Sequence, residues 1–303
     1  MIDVLINALG FVIVVVIGFL AKQFKVLKKE DGYTLASIIM NITLPCALIS
    51  NANGITIDGA MIFLIILGII LNLLMIAIAY FGSNGKPGPT RAAYIINCSG
   101  YNIGNFVLPF VQVFFPGMGV AYLCMFDVGN SLMDLGGKIA FASSLVNNDQ
   151  KPLFKNVIKT LFSSIPFAVY IVIFFLALFK VKIPVPVLTI THFIGAGNGF
   201  LAMLMIGILL EIKISHDDSK DLVSILSYRL LGNFLLMALC YFFLPLPLLA
   251  RKILVIAIAA PISSVSAIFT RQCKYEGDVA AVANSLSILI GIAVLVILLI
   301  LFV

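Results

Sequence analysis

Asn97, Ser99, Asn102 and Asn105 fall close together in an otherwise apolar stretch, and Ser263, Ser264 and Ser266 cluster in a second one. A third polar pattern occurs twice. "VGNSLMDL" from Val128 carries Asn130, and "VANSLSIL" from Val282 carries Asn284, with five identities in eight. Amides and hydroxyls donate and accept neutral hydrogen bonds, so this set suits holding a small polar ligand. Prolines accompany both clusters. Pro109 frees the carbonyl of Asn105 and Pro261 that of Ala257, because proline lacks the donor that would reach it. Asp127, one turn before Asn130, adds an ionisable group, and a carboxyl inside an apolar segment is a candidate to carry a coupling proton or to coordinate a cation.

No other chemistry competes well with binding. The only histidines are His192 and His216, placed far from each other, and there is no His-Glu-x-x-His helix. Asp127 and Asp134 lack the Gly-x-Gly-Asp setting of an aspartyl intramembrane protease. Cys46, Cys98, Cys124, Cys240 and Cys273 lack the spacing of a metal site or a disulfide framework. No catalytic residue, cofactor, bound metal or nucleotide loop is therefore expected, and the chain is read as a non-enzyme. Asp134 and Lys138, four apart on one helix face, are expected to form an ion pair near the cytoplasmic end of their span. Arg229 is expected to snorkel to that face or to pair structurally.

The elements that position these groups follow from composition. Of 303 residues, 62% are hydrophobic and 11% charged, and the mean hydropathy is +1.18, against about 25% charged residues in soluble domains. Apolar runs long enough to span a bilayer are counted at 4–21, 33–51, 60–81, 91–114, 119–143, 157–179, 187–210, 221–247, 253–270 and 279–303. The expectation is an all-α integral membrane protein of ten transmembrane helices. The connections are too short to hold a soluble domain.

Basic residues set the orientation. Connections after the odd-numbered spans hold Lys22, Lys25, Lys28, Lys29, Lys86, Arg91, Lys151, Lys155, Lys159, Lys213, Lys220, Arg271 and Lys274; the opposite side holds Lys180, Lys182, Arg251 and Lys252. Both termini are therefore expected outside. Much of the net charge of +6 then faces the inner leaflet, where anionic lipid attracts it, and nucleic acid is not required as a partner.

The repeated octapeptides follow their prolines at similar distance, 21 residues from Pro109 to Asn130 and 23 from Pro261 to Asn284. Halves of five spans each enter the membrane from opposite sides, so residues 1–150 and 151–303 read as an inverted 5+5 repeat. Its fourth and ninth helices would be broken near the midplane, as in secondary transporters. Pro45 in the second span and "GAGNGF" from Gly195 in the seventh are a second corresponding pair of interruptions, at positions able to face the substrate or to let helices slide.

"NITLPCALIS" in the second span, "NIGNFVLP" in the fourth and "AAPISSVSAIFTRQCKYEGD" in the ninth resemble the auxin efflux carrier family over essentially the whole chain. Asn102 and Pro109 match that family's Asn followed seven residues later by Pro. The resemblance implies a fold like that of bile-acid symporters and sodium/proton antiporters, with the fourth and ninth helices crossed. It implies a scaffold of spans 1, 2, 6 and 7, a mobile part of spans 3–5 and 8–10, a homodimer, and, through the family's bacterial members, the bacterial cytoplasmic membrane. Ser266 stands where plant members have a second proline, and the long central loop of plant members is missing. Auxin is not carried over as the substrate. The expected function is elevator-type transport of a small organic anion, of carboxylate type, with proton or sodium coupling open; the competing expectation is a sensor that binds an organic anion or lipid without turnover.

Overall fold

The computed structural model describes residues 2–53, 55, 57–146, 164–210 and 219–303. Its elements are helices α1 (Ile2–Gln23), α2 (Lys29–Ile38), α3 (Leu44–Ser50), α4 (Gly59–Gly82), α5 (Gly88–Cys98), α6 (Leu108–Phe114), α7 (Met118–Leu132), α8 (Lys138–Ser144), α9 (Ile165–Leu178), α10 (Val185–Gly195), α11 (Asn198–Leu209), α12 (Ser219–Phe243), α13 (Leu248–Ile258), α14 (Ser266–Gln272) and α15 (Val279–Phe302). Among the described residues the sole β-type pairing is an isolated bridge between Tyr101 and Ile262. Five helical stretches among the described residues are long and apolar enough to cross a membrane. The expected start of the sixth span at 157–163, the boundary at 150, His216 and the basic residues Lys151, Lys155, Lys159 and Lys213 lie outside the described residues.

Local chemistry sets the helix starts. The Asp58 carboxylate accepts from the Met61 amide at 3.0 Å and caps α4. Asp31 accepts from the Lys28 amide at 2.7 Å at the start of α2. Pro89, Pro166 and Pro186 stand in the first turns of α5, α9 and α10, where a missing donor costs nothing.

Two interruptions differ from the sequence expectation. Pro45 does not break its span: the π-helical turn Ile39–Thr43 runs directly into α3. Pro109 does not make the break in the fourth span either. The chain leaves the helix earlier, between Cys98 and Ile103, and a second π turn, Ile103–Val107, leads into α6. In both places the widened turn just upstream absorbs proline's missing donor without ending the helix. A third π turn, Met133–Gly137, joins α7 to α8 without any proline. The interruption at "GAGNGF" is present, with α10 ending at Gly195 and α11 beginning at Asn198.

The helices pack in two groups. In one, α1 lies along α11, α10 packs on α3, and α2 and α9 join them. In the other, α4 lies along α7, and α12 packs on α4, α5, α13 and α15. Gly68 and Gly129 let α4 and α7 touch backbone to backbone, since a Cβ at either one meets the other helix's main chain. The outward faces carry exposed Phe193, Phe234, Phe243 and Leu301, which water would disfavour and lipid accepts.

Candidate functional site

The unwound ends of α5 and α13 cross. Ser99 is extended, and Gly100 takes φ +78°, a backbone that side chains rarely adopt. A Cβ at Gly100 would also run into Asp134 and Lys138. At the crossing the Asn102 amide donates to the Pro261 carbonyl at 3.1 Å. Unpaired backbone is costly at membrane depth, and side chains take up the rest. Asn72 Oδ1 accepts from the Gly100 amide at 2.7 Å. Asn130 brackets Tyr101, accepting from its amide at 3.1 Å and donating to its carbonyl at 2.9 Å. Ser287 Oγ accepts from the Ile262 amide at 3.0 Å.

Arg229 lies under this crossing. Its Nη1 donates to the carbonyls of Asn97, Cys98 and Ser99 at 3.3, 2.9 and 3.4 Å. Its Nη2 donates to those of Gly100 and Ala260 at 2.8 and 3.1 Å. The side chain is 2% exposed, so it pairs structurally and does not snorkel. Two helix C-termini converge here, and their partial negative charge favours a cation.

Asp134 and Lys138 form the expected ion pair, at 2.5 Å. They do so at the crossing, buried, and not at a span end. Lys138 Nζ donates to Ser266 Oγ at 2.9 Å, and Ser263 Oγ donates to Asp134 Oδ2 at 2.6 Å. Asp127 is 7% exposed. It accepts from Asn130 Nδ2 at 2.9 Å and Tyr170 Oη at 3.2 Å, and it has no ion pair among the described residues.

Two polar cavities flank the crossing. The first, about 120 Å³, is lined by Asn102, Asn105, Asp127, Asn130, Ser263 and Ser264, and by residues of all three π turns. The second, about 140 Å³, is lined by Lys29, Tyr33, Asn102, Ser264, Asn284 and Ser285 together with apolar residues. Asn102 and Ser264 belong to both. A water needs about 10–15 Å³ by this measure, so each cavity has room for several waters or a small solute. The Oδ1 of Asn105 in the first and of Asn284 in the second are buried without a hydrogen-bond partner.

Six of the eight expected ligand-binding residues thus line one or both cavities, while two do not. Asn97 is buried behind the crossing, donating to Ala93 O and Thr270 Oγ1 at 2.8 and 3.0 Å. Ser99 is fully buried and donates to Ile95 O at 2.6 Å. Pro45 lines neither cavity, although Met40 and Leu44 beside it do. The repeated Asn is not a repeated role: Asn130 pins an unwound segment, whereas in the second half Ser287 does so. Asn72, Tyr101, Tyr170 and Ser287 were not singled out in the sequence. Lone polar residues in apolar helices were their only signal.

No protein-family model matches the chain, and no curated protein sequence matches it.

Proposed function

We propose that the protein is a secondary carrier of a small organic anion, of carboxylate type, working by alternating access at the crossing. The observation that carries this reading is the pair of unwound segments held against each other between two polar cavities that share Asn102 and Ser264. Broken helices at membrane depth are tolerated where they line a cavity, and secondary transporters build midplane sites from them. The two interrupted helices, each followed by a copy of the repeated octapeptide, support an inverted repeat of ten spans. The two packed groups of helices support a fixed part and a moving part, and the crossing belongs to the second.

Asp127 supports proton coupling. A bound carboxylate and an ionised Asp127 repel each other across one small cavity, so anion binding and proton binding are linked and each favours the other. Uptake of mono- and dicarboxylates into proteoliposomes, driven by a substrate gradient, tests the carrier reading. Asn102→Ala should lower uptake at least tenfold while the folded yield stays near wild type, because Asn102 lines both cavities while its backbone amide, which the substitution keeps, maintains the crossing. Binding of carboxylates without flux would favour a sensor.

A further inference from the structure

Beyond the crossing, a line of cavities runs to the opposite end of the molecule, where α3 and α9 end. The outermost is the largest, about 590 Å³, and Asn53, Lys180 and Lys182 stand on it. Both lysines are exposed, and neither makes an ion pair among the described residues. Asn53 holds the rim in place, accepting from the Ile183 amide at 3.2 Å and donating to its carbonyl at 3.4 Å. Ile55, Ile57, Ile173 and Ala177 are shared with a second cavity deeper in, lined by Leu48, Met61, Val120 and Cys124 and almost wholly apolar. That one holds only about 20 Å³, room for roughly one water. Tyr170 closes its inner end and also lines the first polar cavity, where its hydroxyl donates to Asp127. The line passes between α3 and α9 of one packed group and α4 and α7 of the other.

We infer that Lys180 and Lys182 form an anion-collecting entrance, that the apolar shell around Cys124 is the gate behind it, and that Tyr170 links this gate to Asp127. The inference rests on the carrier reading. Two cations at a concave mouth raise the local concentration of an anion. A narrow apolar passage excludes a charged solute by dewetting until it widens, and widening requires only that the two packed groups move apart along the surface they share. The Asp127 carboxyl that would take up the proton accepts the Tyr170 hydrogen bond, so protonation there changes the contact that holds the gate's inner end.

Cys124 is a built-in reporter for this route. With Cys46, Cys98, Cys240 and Cys273 replaced, its modification is followed in oriented proteoliposomes with two membrane-impermeant methanethiosulfonates, one carrying a sulfonate and one a quaternary ammonium. Peptide mass spectrometry at Cys124 allows the wild-type chain to serve if the reduced-cysteine variant does not fold. Cys124 should react from the face bearing Lys180, and the anionic reagent should be favoured after correction for its reactivity with a free thiol. Lys180→Gln with Lys182→Gln should lower that preference several-fold, and raising the salt concentration should do the same. Reaction only from the opposite face, an unchanged charge preference in the double variant, or no reaction in protein that carries out flux would each overturn the entrance and gate. Absence of flux together with the predicted labelling would instead count against the carrier reading and leave the route standing.

Discussion

At the scale of single residues, the proposed coupling rests on Asp127. Its two oxygens accept from Asn130 and Tyr170, which orient the carboxyl toward the cavity without neutralising it. The neighbouring Asp134 is already matched by Lys138, which is why Asp127 and not Asp134 is the proposed proton carrier. Asp127→Asn keeps the shape and an acceptor oxygen but cannot gain or lose a proton. The expected outcome is that an imposed pH gradient no longer drives uptake, while exchange of substrate down its own gradient continues and thermal stability changes little. Unaltered driving by the pH gradient in Asp127→Asn would show that the proton is carried elsewhere.

At the scale of elements, the crossing is two half-helices whose ends must be satisfied without water. Arg229 does this from α12, a helix that belongs to neither of them, and its five carbonyl partners span both breaks. Burying a charge costs several kcal/mol, and hydrogen bonds to a charged group return about 1.5–3 kcal/mol each. Removing the guanidinium leaves carbonyls unsatisfied at about 1–3 kcal/mol apiece. Arg229→Ala should therefore lose most of its folded yield in detergent. Arg229→Lys, with three donors on one atom, should melt between wild type and Arg229→Ala. Equal melting temperatures for all three proteins would mean that the crossing is held by Asn72, Asn130 and Ser287 alone.

For the whole molecule, one set of residues must be reached from two sides in turn if the two packed groups move against each other. Ser264 is exposed and lines both polar cavities, so it reports on both. In a background lacking the native cysteines, Ser264→Cys should react with impermeant thiol reagents from each face, with a bound carboxylate changing both rates in opposite senses. Substrate shifts such populations only if it binds the two states unequally. Reaction from one face alone, unresponsive to a carboxylate shown to bind, would be the behaviour of a static receptor. Ser99 is unsuited to this measurement, because its hydroxyl is buried against Ile95.

Composition and periodicity by themselves determined that the chain is helical and apolar enough for a bilayer, since both are properties of stretches about twenty residues long. They also located the polar interruptions near residues 102 and 261, because glycine, proline and asparagine stand out against so greasy a background. Which residue makes each interruption was decided only by the tertiary structure. Pro109 and Pro45 are accommodated by π turns, while Gly100, with its positive φ and no room for a Cβ, carries the break. Partnership across the fold was equally out of reach of the sequence. Arg229 meets Ala260 and Gly100, Lys138 meets Ser266, and Asn72 meets Gly100 over separations of tens to more than a hundred residues. A lone arginine in an apolar helix reads as a surface-seeking cation until the carbonyls it will satisfy are brought to it, and packing alone brings them.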